Sequence, residues 1–329
     1  MAAPDFRGFD WNGEEAGPGR PYGDVTFLDE TLRDGLQSPS VRHPSLPEKI
    51  ALLHLMDRIG ISTANLGYPG AGGAAGGDVE ALCREIDRAK LRVTPKCAGR
   101  TCAADVVPAV EISQRAGVPL ELGMFLGSSA IRLRTEGWDW ERLLRMTEYW
   151  VGFATRWGLR VLFVTEDTTR SRPEDVARLY QTAVRAGARR VCLADTVGCA
   201  TPLGAHALVR FVRTSLDAAG GAAVGLDWHG HNDRGLAVAN ALSAARAGAD
   251  RLHGTALGVG ERVGNAAIEH LLANAFALGW ARPRLDVVCQ YLRTACAALD
   301  LPVREDALAV LDRLAGSGPE RTASGRAAS

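Results

Sequence analysis

Short apolar or β-branched runs recur near residues 24–29, 62–68, 91–97, 119–126, 159–165, 190–195, 223–229 and 251–256. Between them lie stretches with helical periodicity, at 47–59, 78–89, 138–155, 173–186, 202–218, 235–247 and 265–278. The short runs predict strands and the longer amphipathic stretches predict helices. Several helical stretches close in glycine turns, as in Ile59-Gly60-Ile61, Ala186-Gly187-Ala188 and Ala247-Gly248-Ala249, where a left-handed residue ends a helix. Eight strand–helix alternations over about 250 residues predict an α/β chain folded as a (β/α)8 barrel. A doubly wound open sheet is the alternative. The barrel is expected over 24–283 and a short C-terminal helical extension over 284–316. Residues 1–23, rich in Gly, Pro and charge, read as an arm, and 317–329 as a disordered tail.

The barrel reading predicts that chemical residues gather at strand C-terminal ends, where barrel active sites form. Arg33 and Asp34 follow the first strand, Glu166 the fifth and Thr196 the sixth. His229 and His231 close the seventh, and a glycine-rich loop, Gly258 to Asn265, follows the eighth. A period-2 strand turns His229 and His231 to one side, so both imidazoles can reach one metal ion. Two His with Asp34 leave coordination positions open for water or substrate. Asn265 is the candidate fourth ligand, and one carboxylate with one amide oxygen suits Mg2+, Mn2+ or Zn2+. If the glycine loop opens a helix at Asn265, its free backbone N–H groups can also meet an anion. Glu166 beside a metal-bound substrate can act as a base, or simply pair with Arg170. Thr196 can donate its hydroxyl to a carboxylate, or simply cap a helix. His253, inside the eighth strand, reads as structural.

Bulk properties narrow the classes of function. Hydrophobic residues make up 47% of the 329 and charged residues 23%, enough for a real core. Formal net charge is zero, which argues against a nucleic-acid surface. No run approaches the ~18 apolar residues of a membrane span. The N-terminus lacks a basic segment followed by an apolar one, so no secretory leader is expected. Seven scattered Cys without a close CxxC pair indicate reduced thiols and a cytoplasmic setting.

Five segments carry a resemblance: DETLRDGLQ (29–37), TEDTTR (165–170), LADTVG (193–198), HGHNDRGLAVAN (229–240) and GVGERVGNAAIE (258–269). Together they resemble the acyl-CoA-condensing family of 2-isopropylmalate, homocitrate and citramalate synthases, metal-dependent barrels related to hydroxymethylglutaryl-CoA lyase. The resemblance implies condensation of an acyl-CoA, acetyl-CoA above all, with a 2-oxo acid. It also implies a homodimer. By position it makes Asp34, His229, His231 and Asn265 the metal shell and Arg33 the oxyanion stabiliser. Gln37, Glu166 and Thr196 would hold the 2-oxo acid.

Three departures accompany the resemblance. Asn65 stands where the family often has Glu, and Arg132 near a position where the synthases commonly have His. An Arg there suits an additional anionic group on the acceptor or on CoA. The synthases' C-terminal subdomain, with its catalytic His, is not recognisable, nor is a regulatory domain. Feedback inhibition is therefore not expected, and the group that deprotonates the acyl-CoA is left open. The rival readings are a lyase or aldolase cleaving a related C–C bond, and a non-catalytic barrel that binds a partner. Against the lyase, the loop after the eighth strand carries Glu261-Arg262 and lacks the Cys that lyases place there.

Overall fold

The computed structural model describes residues 25–303 and 305–317. The expected arm at 1–23 and all of the expected tail beyond Ser317 lie outside the described residues. Eight parallel strands form a closed barrel in sequence order. They are β1 (Thr26–Asp29), β2 (Thr63–Asn65), β3 (Thr94–Arg100), β4 (Glu121–Gly127), β5 (Arg160–Glu166), β6 (Arg190–Asp195), β7 (Gly225–Gly230) and β8 (Arg251–Gly254). β8 closes on β1 with Leu28 opposite His253. The alternative of an open sheet is thereby excluded.

The helices of the wall are α1 (Leu46–Ile59), α2 (Ala75–Ala89), α3 (Ala103–Ala116), α4 (Ala130–Glu136), α5 (Trp140–Arg156), α6 (Pro173–Arg185), α7 (Pro202–Ala218), α8 (Ala237–Ala247) and α9 (Ile268–Ala277). α10 (Leu285–Leu299) and α11 (Glu305–Ser317) follow. α1 shows how local chemistry sets a boundary. Ser45 and Glu48 form a reciprocal capping box, Pro47 stands in the first turn, and Gly60 ends the helix at φ 97°. α3 has no counterpart among the stretches expected from periodicity; Pro108 lies inside it and breaks the pattern. The stretch expected at 138–155 is α5, and the short helix α4 precedes it, ending at Gly137. Among the described residues, no helix is long and apolar enough to cross a membrane.

Outward strand residues such as Phe27, Leu122, Phe163, Leu226, Trp228 and Leu252 are buried against the helices. The inward residues differ in kind. Asp227, Arg251, Glu121 and Thr63 form a buried polar layer across the barrel interior. Arg251 reaches Asp227 at 2.7 Å, Glu121 at 2.7 Å and Thr63 at 2.8 Å, joining four strands through one guanidinium. Above this layer the interior opens into a cavity at the strand C-terminal ends. α10 braces that end: the Tyr291 hydroxyl donates to Asp29 at 2.7 Å and lies 3.1 Å from the Thr31 hydroxyl. It thereby fixes the segment that carries Arg33 and Asp34.

Candidate active site

A cavity of about 350 Å³ at the strand C-terminal ends has on its wall Arg33, Asp34, Gln37, Arg132, Glu166, Thr196, His229 and His231. Eight of the nine residues singled out from sequence therefore meet in one place. The ninth, Asn265, is buried behind Asp34 and donates to its Oδ1 at 3.1 Å.

Asp34, His229 and His231 bring ligand atoms within 4.8 Å of one another. The two Nε2 atoms are 3.3 Å apart, and Asp34 Oδ2 lies 3.4 Å from that of His229 and 3.9 Å from that of His231. Burial pushes the His229 imidazole well below its usual range and so favours the neutral form that ligates metals. Burial opposes ionisation of Asp34, but Arg33 and the two imidazoles outweigh it and hold the carboxyl low. Asn265 spends its amide nitrogen on Asp34 and the Val259 carbonyl. Its Oδ1 is buried with no hydrogen-bond partner among the described residues. Two imidazoles and a carboxylate, with a buried and unpartnered amide oxygen on the residue that bonds that carboxylate, are a donor set that fits a divalent cation. Gly260 protects this packing: at φ 155°, a Cβ there would run into the Asn265 amide.

Arg33 is threaded among acceptors. Its guanidinium lies 3.4 Å from Glu30, 3.4 Å from Asp34 and donates to Gln37 Oε1 at 3.0 Å. Gln37 thus orients Arg33 with its oxygen. Glu166 lies 3.8 Å from Arg132, not beside Arg170, which pairs with Asp167 at 2.7 Å. Burial raises the Glu166 carboxyl above its usual range. Thr196 caps no helix; its Oγ1 accepts from the Asp167 amide at 2.8 Å, and its proton is left for another acceptor. Arg132 also meets Glu136 at 3.3 Å and remains about 42% exposed at the rim.

The glycine loop corrects one expectation. α9 starts at Ile268, so Asn265 does not open a helix. The N–H groups of Gly258, Val259, Gly264, Asn265, Ala266 and Ile268 all donate to carbonyls within the barrel top. Those six amides are not free to cradle an anion, and no helix N-terminus stands at Asn265. Arg262 instead clamps three strand-end loops, pairing with Asp233 at 2.9 Å and donating to the Thr196 carbonyl at 2.7 Å.

Glu30 and Lys96, also on the cavity wall, were not singled out, and His253, expected to be structural, lies on that wall too. Glu30 accepts from Asn65 at 2.6 Å and from Lys96 at 3.0 Å, with His253 at 3.4 Å. Burial opposes its ionisation, yet Lys96 and Arg33 hold the carboxyl well below its usual range. His253 bonds Asp227 at 2.8 Å, and its ring lies 5.5 Å from that of His229. The available signal was period-2 phase: Lys96 and His253 share the inward register of Ala98 and Arg251.

A family model described as HMGL-like matches residues 24–294. The chain belongs to the HMGL-like family. It is 34% identical over 251 residues to a 2-isopropylmalate synthase of Methylacidiphilum infernorum, covering 75% of this chain and 48% of that one. It is equally 34% identical over 250 residues to the homocitrate synthase AksA of Methanopyrus kandleri, covering 76% and 59%. The chain therefore spans roughly half the length of these curated relatives. The barrel of this HMGL-like chain also superposes on an HMG-CoA lyase of Bacillus subtilis, with TM-score 0.71, 22% identity and 88% and 98% of the two chains covered. An HMG-CoA lyase from Acinetobacter baumannii, solved in complex with coenzyme A and 3-methylmalate, has TM-score 0.68 at 22% identity, covering 93% and 98%. At these identities the solved structures speak for the fold.

Proposed function

We propose that this chain is a divalent-metal-dependent acyltransferase that condenses an acyl-CoA, acetyl-CoA first, with a 2-oxo acid. The observation that carries this reading is the meeting of Asp34, His229 and His231 beside the orphaned Asn265 oxygen and the Arg33 guanidinium. The synthase names of the relatives at 34% identity support condensation over cleavage.

Asp34, His229, His231 and Asn265 would hold Mg2+, Mn2+ or Zn2+, which when bound polarises the keto group and orients the acceptor. Arg33, held by Glu30 and Gln37, faces the oxygen that gains charge as the new C–C bond forms. Thr196 Oγ1 donates its proton to the acceptor's carboxylate, and the Gln37 amide nitrogen is free to do the same. Glu166, raised by burial, is the wall carboxylate suited to take a proton from the acyl methyl group. Water then cleaves the thioester and CoA leaves as the free thiol. Arg132 at the rim suits the anionic CoA. The chain acts as a cytoplasmic homodimer in this reading, which sedimentation tests separately.

The direct test supplies purified protein with each metal, acetyl-CoA and a panel of pyruvate, 2-oxoisovalerate, 2-oxoglutarate and oxaloacetate. Acceptor-dependent release of free CoA, read with a thiol reagent, is expected. Cleavage of 3-hydroxy-3-methylglutaryl-CoA without such release would replace the synthase by a lyase. Protein that binds no metal and is inert throughout would favour a non-catalytic barrel.

A further inference from the structure

The cavity floor carries a cation that the condensation steps leave unused. Lys96 projects inward from β3, with only 3% of its side chain exposed, and lines the cavity. An ammonium offers three N–H donors. Among the described residues, Lys96 Nζ has one hydrogen-bond acceptor, Glu30 Oε1 at 3.0 Å. That carboxylate is shared: Glu30 also lies 3.4 Å from the Arg33 guanidinium and accepts from Asn65 at 2.6 Å. Two fixed cations thus lean on one carboxylate, and a buried ammonium with unspent donors is costly unless another acceptor arrives.

The surroundings of Lys96 are shaped to leave its amine open. β4 is bare at Gly123, where a Cβ would come within 2.7 Å of Lys96 Cε and 3.0 Å of Nζ. Glycine lets the lysine stem lie across the strand. Ala98 and Ala194, both small, share this cavity wall. Glu30, the partner of Lys96, has a carboxylate oxygen within 4.8 Å of a His229 ring nitrogen. The amine is therefore linked to the proposed chelating end through Glu30 alone, on the wall of the same cavity.

We propose that Lys96 receives the distal carboxylate of the acceptor, so that the substrate class is a short dicarboxylic 2-oxo acid. Oxaloacetate and 2-oxoglutarate bracket its length. The proposal rests on the condensation reading, in which the 2-oxo acid end sits at Asp34, His229 and His231. Acceptors with an apolar side chain would bury their hydrocarbon against a cation with unspent donors. They are disfavoured for that reason.

The test compares 2-oxoglutarate with its distal methyl ester, which keeps the open chain and the 2-oxo acid end but removes the distal charge, in wild type and in Lys96→Met. In wild type, kcat/KM for CoA release should favour the diacid by about 100-fold. In Lys96→Met the ratio should fall towards one. A wild type that prefers the ester or 2-oxoisovalerate, or a variant that keeps the ratio, overturns the proposal and leaves condensation standing. If Lys96→Met does not fold, the wild-type ratio alone decides. Absence of CoA release with every acceptor defeats the condensation reading instead. Calorimetric titration of the same pair into metal-loaded protein then decides the role of Lys96: tighter binding of the diacid supports it, and equal or no binding overturns it.

Discussion

Arg251→Met tests whether the charged barrel floor is a paired network. The wild-type guanidinium is 6% exposed and makes hydrogen bonds to Asp227, Glu121 and Thr63 between 2.7 and 3.3 Å. Methionine fills similar volume but supplies no donor. Asp227 would keep Arg190 at 2.7 Å and His253 at 2.8 Å. Glu121 would keep no ion pair among the described residues, so the loss falls mainly on that carboxylate. Breaking a buried pair by removing one partner costs about 3–5 kcal/mol. Urea unfolding at pH 8, followed through the buried Trp228, should show a loss of that order. Adding Glu121→Gln should restore part of it, because the uncompensated charge is gone. Adding Asp227→Asn should not, because Arg190 and His253 share that carboxylate and the amide would turn an NH2 donor towards one of them. A loss below about 1 kcal/mol for Arg251→Met, or rescue by Asp227→Asn and not by Glu121→Gln, would refute the network as drawn.

His231→Ala should weaken binding of Mn2+ or Zn2+ by at least about 100-fold in calorimetric titration, and unchanged affinity would remove it from the metal shell. Arg132→Ala should raise KM for acetyl-CoA about 10-fold with little change in kcat, and an unmoved KM would take Arg132 out of CoA recognition. Glu269, buried at the start of α9, has its carboxyl pushed up by burial to about 7 while accepting from the Leu257 amide at 3.1 Å. Its folded value exceeds its unfolded one, so its contribution is fully present below about pH 4.5 and is lost as pH rises through about 7. Glu269→Gln should therefore be more stable than wild type at pH 8, by on the order of 3 kcal/mol, with the difference vanishing near pH 4.5; a difference independent of pH would contradict this.

The barrel and the residues at its top were legible because both follow from short-range pattern. Strand spacing, glycine stops and the strand-end positions of Asp34, His229 and His231 are local signals. What was illegible depended on contacts across the barrel. α3 was hidden by Pro108, which a helix of this kind tolerates only because the wall packs its buried face. The loop before α9 reads as a helix start by its glycines. In the fold, its bonded amides mostly turn back to carbonyls of the same loop, the Ala266 amide reaches Gly230 of β7, and Asn265 bridges to His231. Lys96 was the hardest case. In the β3 segment Thr94–Arg100, a strand reading that puts polar positions outward sends Lys96 to solvent. The closed barrel inverts that assignment.

The inversion has a physical reason that ties the floor to the site. Barrels commonly fill their interior with branched apolar side chains, which pack well and carry no direction. Here one chain of contacts runs from Arg251 to Asp227, from Asp227 to His253, from His253 to Glu30 and from Glu30 to Arg33. Apolar residues of similar volume would often be as stable as such pairs, so stability is a weak reason to keep them. Orientation is a stronger one. A guanidinium that must face a developing oxyanion needs its acceptors fixed before substrate arrives. Glu30 is fixed by Asn65, Lys96 and His253 together, and removing any one of them frees a buried donor or charge. Floor and site thus constrain each other: the charges that orient Arg33 also leave Lys96 with donors to spare, and an acceptor carrying a second anion is the ligand that satisfies both.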